Sequence, residues 1–405
     1  MDADLEIAAR SLAGVQRLTV NGADAAFDDA SGLWRLTVPL AAGADALVLE
    51  AFTLDGATAV DTAYAVSLPL SVGQPAPALP EARAGHTATR TLGGVALAGG
   101  VGEGGAVLGT ARRLTELGLA FAFGDAIALQ TPRTGHAALR LPDDRVLLLG
   151  GTTRPTPEDA ASFAATPEAL DLASGENRPV VMRGEGLRRT GHVATLLGGD
   201  GRSLIVVLGG RAPGAGGRIF SPSTVEFFEF REGTAGGPGG GAAPDTLVRL
   251  SPAGGASGPG AYPDPAQVVL RSGPEGADAV LVGQASGDAS ALRLAYRAPG
   301  FATPVDVEAA AVGTPEAART AADGAPIGPG LAVVAGGRGA DGRPLATLAA
   351  YADVPGRFFR FPDAVRLAAG RADLAVTLAP SGRILALGGR DETGAPTRAL
   401  DVIAF

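Results

Sequence analysis

A short signature recurs through most of the chain and limits what it can fold into. Arg83-Ala84-Gly85-His86 precedes an apolar run that ends in Gly99-Gly100. Arg133-Thr134-Gly135-His136 precedes a run ending in Gly150-Gly151, and Arg189-Thr190-Gly191-His192 one ending in Gly209-Gly210. The double glycine returns at Gly336-Gly337 and Gly388-Gly389, and Gly283-Gln284 fills the interval with its second glycine lost. The six anchors at 99, 150, 209, 283, 336 and 388 are 51, 59, 74, 53 and 52 residues apart. Most are followed by a further strand-like run, such as Glu168–Leu172, Thr224–Phe230, Ala346–Tyr351 and Ala399–Phe405. Self-similarity at this period means stacked units that bury their faces only against one another.

Composition agrees with short strands. The 61 glycines and 30 prolines favour many turns over long helices, and 46% apolar residues are ample for a core. The basic residues are 33 arginines with no lysine, and the net charge of −9 gives no electrostatic footprint for nucleic acid. No apolar run reaches the ~18–20 residues of a membrane span. The absence of cysteine excludes disulfides, a thiolate nucleophile, iron–sulfur clusters and cysteine-based zinc sites. Three histidines leave a very small pool for any other metal site.

Residues 1–74 differ from the rest. They carry ten acids against three arginines, and their alternating runs Val15–Val20, Leu33–Val38 and Ala46–Phe52 are separated by turn signals such as Asn21-Gly22. Short strands so spaced predict a small β-sandwich. The stretch from Val20-Asn21-Gly22 through Trp34, Val38-Pro39-Leu40 and Asp55-Gly56 resembles bacterial immunoglobulin-like (Ig-like) modules of secreted and surface proteins, with Asp45 where asparagine is usual. Trp34 then reads as a core aromatic or, alternatively, a carbohydrate-stacking platform. Asp24, Asp28 and Asp29 read as a solvated acidic face or a calcium site without EF-hand spacing. Residues 75–82 read as a linker or as a ring-closing strand. Met1-Asp2-Ala3-Asp4 shows no basic start or apolar leader, as in a cytoplasmic chain or a mature exported one, and the second is expected here.

The repeat over residues 83–405 resembles the kelch repeat, in which an Arg-x-Gly-His segment leads to a strand ending in Gly-Gly and then to a Val-Glu-x-aromatic strand. The resemblance implies an all-β fold: a six-bladed kelch-like β-propeller after the small N-terminal sandwich. The missing kelch tryptophan implies outer strands packed with smaller residues. Stretches 231–244 and 251–260 have the composition of disordered loops. His86, His136 and His192 occupy one repeat position and read as structural, as do the double glycines and Arg83, Arg133, Arg189, Arg319 and Arg371.

Arg211, Arg338 and Arg390 each follow a double glycine. By the resemblance they border one channel mouth, where they hold a carboxylate or acidic peptide, or else pair locally with Asp341, Asp391 or Glu392. The related galactose-oxidase-type copper centre needs a Tyr–Cys crosslink, which a chain without cysteine cannot form. No cofactor or metal is expected. The function expected is non-catalytic: an exported binding or scaffold protein of the cell surface, periplasm or extracellular space, recognising another envelope protein or a glycan. The alternative is a carbohydrate-binding or sugar-modifying, mutarotase-like propeller.

Overall fold

A strand covered by other sheets on both faces has no reason to alternate, and the second strands of the repeat do not. Val146–Leu149 reads Val-Leu-Leu-Leu and Ile384–Leu387 reads Ile-Leu-Ala-Leu, every residue buried. The computed structural model describes the chain except residues 1–2, 11–13, 41–42, 68–70, 73–75, 200–201, 235–242, 252–255, 274–275, 286–287, 298–305, 313–318, 362–364 and 405. Of the stretches 231–244 and 251–260 expected to be disordered, 235–242 and 252–255 lie outside the described residues, whereas Arg231 ends a strand and Ala256 and Ser257 pair with Val225 and Thr224. The chain divides into two compact units, Met1–Leu70 with Ala352–Pro355 and Phe405, and Ser71–Tyr351 with Gly356–Ala404.

Among the described residues the larger unit contains six successive sheets of four or more strands, besides a two-stranded ribbon of Ala212–Pro213 and Ile219–Phe220. The first is Thr87–Thr91, Gly94–Ala98, Thr110–Leu117 and Ala120–Ala128, and the second is Ala137–Arg140, Val146–Leu149, Glu168–Asp171 and Glu176–Pro179. The third, led by Val193–Gly199, also takes up Val181–Arg183, parallel to Thr246–Arg249. The fourth and fifth are led by Ala266–Gly273 and Asp323–Gly328, and the sixth by Ala375–Leu378. The sixth sheet's outer strand is Ser71–Val72, which pairs with Ile403 and Ala404. The first strands touch in a closed cycle, with that of the sixth sheet against that of the first. Helix is confined to three short 3-10 turns among the described residues. This is a β-propeller arrangement.

Period-two geometry assigns each face to one neighbour. Val146 and Leu148 pack with Ala96, Ala98 and Ala111 of the first sheet, whereas Leu147 and Leu149 pack with Ile205, Val207 and Phe228 of the third. Each fully buried leucine contributes about 1.5–3 kcal/mol, so the ring is held by contacts that no sheet can make alone. The double glycine sits where these sheets meet most closely. Gly99 has φ 59° and Gly100 φ 99°. A Cβ on Gly99 would lie 2.2 Å from the Arg133 carbonyl oxygen, and one on Gly100 would lie 2.8 Å from the Cβ of His86. Glycine is required there for conformation and for space.

Residues 1–70 form two antiparallel sheets. Leu33–Leu40 lies between Ala3–Ala9 and Ala26–Asp28, and Val15–Val20 and Gly43–Thr53 are the central strands of the other sheet. Val20, Leu40 and Leu47 make a small core with Leu5, Ile7 and Val38 against it. Trp34 is 7% exposed and stacks at a tilt on Phe27, so it is an interior aromatic and presents no open platform for a sugar. Asp24 pairs with Arg17 at 2.5 Å, and Asp28 accepts hydrogen bonds from Ser31, Arg35 and the Ala30 amide. Among the described residues no group of three His, Asp or Glu side chains is placed to hold a metal.

Candidate functional site

The repeated Arg-x-Gly-His segment does two things: its ends lock the sheets, and its middle builds one end of a cavity. The arginines lie at the locked end. Arg83, Arg133, Arg189, Arg319 and Arg371 donate from Nη1 to the carbonyls of Gly99, Gly150, Gly209, Gly336 and Gly388 at 2.6–3.1 Å. Four of them also reach an acid: Glu81, Glu168, Glu226 and Asp401 respectively for Arg83, Arg133, Arg189 and Arg371. All five arginine side chains are buried and join strands of their sheets.

The histidines are the other lock. Each ring lies against the first glycine of the preceding sheet: His136 against Gly99, His192 against Gly150 and His86 against Gly388. Burial, reinforced by a neighbouring arginine, pushes His86 and His192 down to about 3 and His136 well below its ordinary value. They are neutral packing groups at neutral pH. The His136 Nε2 lies 3.0 Å from the Thr87 hydroxyl. Ala375 and Ala137, which stand where Thr87 does in the sixth and second sheets, carry no hydroxyl for His86 and His192, and both ring nitrogens of each lack a protein partner.

Between the locks, the third residues of these segments form a ring. The Gly85 amide donates to the Asp373 carbonyl, Gly135 to Gly85, Gly191 to Gly135, Asp373 to Ala321 and Ala321 to Asp264, at 2.7–3.3 Å. Asp373 and Ala321 share the left-handed backbone of the glycines, at φ 54° and 51°. In the fourth sheet Tyr262-Pro263-Asp264-Pro265 stands where the other sheets have Arg-x-Gly-His, because the Gly210 amide donates to Tyr262 as the Gly100 amide does to Arg133. Two of the six ring positions are therefore aspartates.

A cavity of about 1160 Å³ runs along this ring, walled by the first strands of all six sheets. Arg211, Arg338 and Arg390 all line it. Each backbone is fixed by a bridge to the second residue of its own segment, Thr190, Thr320 and Ala372. The arginines do not pair with Asp341, Asp391 or Glu392. Arg211 meets Asp264 at 2.5 Å, while Arg390 and Arg338 meet Asp373 at 3.3 and 4.0 Å. About a third of each aspartate side chain remains open to solvent. Burial pushes Asp264 up to about 6, with Arg211 opposing and Asp373 adding to the shift. Asp373 is also pushed up by burial, against Arg390, Arg338 and Arg211. The equivalents of these arginines in the first and second sheets are Val101 and Thr152, and those two sheets line the cavity instead with Arg90 and Arg140 of their first strands. Farther along the wall, Asp323 accepts the Gly324 and Val376 amides and burial pushes it up to about 7.

Sequence reasoning found the three arginines and missed both aspartates. The available signal was an acid in the glycine place of the segment, legible at Arg371-Ala372-Asp373-Leu374 and hidden at residues 262–265 by the loss of the flanking arginine and histidine.

No family model and no curated protein matches the chain in sequence. Among solved structures it is similar to YjhT, at a TM-score of 0.55 and 14% identity over 80% of this chain and 95% of that one. It is also similar to a fungal alcohol oxidase of the AA5 family solved with copper, at 0.50 and 13% over 82% and 76%. The copper chemistry of the second has no counterpart here, because the chain lacks cysteine and its three histidines are locked between sheets. These likenesses show the fold alone, a β-propeller.

Proposed function

We propose that this chain is an exported, non-catalytic binding protein, a six-bladed kelch-like propeller preceded by an Ig-like module. Its cavity takes an acidic group presented by another macromolecule of an envelope or surface assembly. One observation carries the reading: Arg211, Arg338 and Arg390, from three different sheets, line one cavity and meet Asp264 and Asp373 there. Three guanidinium forks against two carboxylates leave a local excess of one positive charge in a chain of net charge −9. Planar forks on fixed backbones suit a carboxylate or sulfate. Recognition loops held on a rigid frame are the ordinary way a propeller binds.

The test is capture with the full-length protein from its native host, with crosslinking and mass spectrometry, against the variant Arg211→Ala/Arg338→Ala/Arg390→Ala. The expected result is a stoichiometric partner, crosslinked beside residues 338–344 or 390–396, that the variant no longer retains. A partner held equally by the variant would overturn the assignment of this site. A sugar-modifying role is the second reading, favoured by one observation: Asp264 is raised to about 6, in the range of a general acid. Exchange of sugar anomers measured by NMR, lost in Asp264→Asn, would establish that role instead.

A further inference from the structure

Asp264 and Asp373 hold the donors that an acidic ligand would use. Arg211 reaches Asp264 at 2.5 Å, and Arg390 and Arg338 share Asp373. Neither aspartate is where the repeat needs a carboxylate, since glycine or alanine fills the same ring position at 85, 135, 191 and 321. The ring bonds use the amide and carbonyl of Asp373 and the carbonyl of Asp264, so none of them requires the acid. We propose that Asp264 and Asp373 are resident carboxylates that occupy the arginines until an acidic ligand displaces them, and that the ligand enters together with a proton.

The charges require that coupling. Asp264 faces Arg211, which favours its ionised form, and Asp373, which opposes it. Asp373 faces Arg390, Arg338 and Arg211. A ligand that takes Arg211 leaves Asp264 half-buried with only a like charge nearby, and a carboxylate so placed protonates. Burial holds Asp264 up to about 6 even with Arg211 opposing it, so loss of Arg211 drives the carboxyl further toward its protonated form. The balance closes for a singly charged group: a monoanion and one proton leave the site at its original excess of one positive charge, while a sulfate dianion and one proton leave it neutral. The ligand class is therefore a small oxyanion group, carboxylate or sulfate, bound more tightly as the medium becomes acidic. A cation or a neutral glycan gains nothing from this arrangement.

The inference rests on the acidic-group reading of the site, and sulfate is a probe that separates the two because its charge is constant across the range. Calorimetric titration of the full-length protein with sulfate at about pH 5 and pH 8, in buffers of different ionisation enthalpy, reads affinity and proton uptake together. We expect binding about tenfold or more tighter at the lower pH, with uptake of close to one proton at about pH 8 and little at about pH 5, where Asp264 is already mostly protonated. Asp264→Asn/Asp373→Asn should bind at the higher pH as tightly as the wild type does at the lower, without proton uptake. Asparagine tolerates the left-handed backbone at position 373, so the variant tests charge rather than folding. Equal affinity at both pH values without proton uptake would overturn the inference and leave the acidic-group reading standing. Sulfate binding by neither protein, or binding that persists in Arg211→Ala/Arg338→Ala/Arg390→Ala, would overturn that reading as well.

Discussion

The clearest case of a side chain whose ordinary chemistry is suppressed by its place in the repeat is histidine. His86, His136 and His192 sit between sheets, and burial lowers the first and third to about 3. The sign follows from linkage. A histidine whose folded value lies below its unfolded value of about 6.5 adds stability above that pH, and the stability is lost as pH falls from there toward 3. Asp264 and Asp323, raised by burial, act in the opposite sense over part of that window, so total stability against pH is a poor readout. The difference between His86→Leu and wild type isolates one group. Leucine is the natural occupant of the equivalent place at Leu374, which packs against Gly336 as the histidines pack against their glycines. Relative to wild type, the variant should gain stability on acidification by up to about 1.4 kcal/mol per pH unit below about 6.5. Urea titrations at several pH values measure it. A pH-independent difference would mean that His86 is charged in the folded protein.

One element of the repeat is a hairpin clamp: the arginine before the first strand bonds the glycine after the second and an acid on or beside the third. Arg133 shows it best, with Gly150, the Thr166 carbonyl and Glu168 all bound and both charged side chains fully buried. Glu168 in turn accepts the Gln130 and Thr131 amides, so the clamp also closes the connection from the first sheet. Removing one charge of a buried pair strands the other, and Arg133→Met should cost about 3–5 kcal/mol. Arg133→Met/Glu168→Leu should cost less than the single change, because nothing charged is then left in the interior. Guanidinium unfolding midpoints of the two variants decide it. If the double variant were no more stable than the single one, the desolvated charge would not be the cause.

This division of labour explains what was legible in the sequence. Arginine, histidine and double glycine recur because each meets a fixed neighbour in the next strand or sheet, so they marked five of the six sheets plainly. The fourth sheet has the 10-residue strands Gly276–Ala285 and Asp288–Arg297, yet its signature is gone because Tyr262 and Pro265 take over the contacts with the third sheet's glycines. Asp264 was hidden for the same reason. A repeat motif records contacts between sheets, whereas the cavity is built from departures from it.

For the whole molecule the consequence is that stability depends on closing a ring, and the closing contacts are few and nameable. Ser71–Val72 adds the outer strand of the sixth sheet. Leu79 is 1% exposed in the core shared by the sixth and first sheets, and its amide and carbonyl both bond Arg398. Glu81 pairs with the buried Arg83 and with Arg112 of the first sheet. The chain from 71 to 82 thus carries a strand, an apolar anchor and a counter-charge that the six sheets need, and residues 1–70 carry a separate core of their own. A chain shortened to residues 71–405 should therefore fold with one cooperative guanidinium transition and keep sulfate binding at the arginine cavity. A chain shortened to residues 83–405 loses the burial of Leu79 and strands Arg83, and should be less stable by roughly 5 kcal/mol or more. Equal midpoints for the two shortened chains would show that the ring closes without this segment. Loss of cooperativity in the 71–405 chain would instead place part of the closure in residues 1–70.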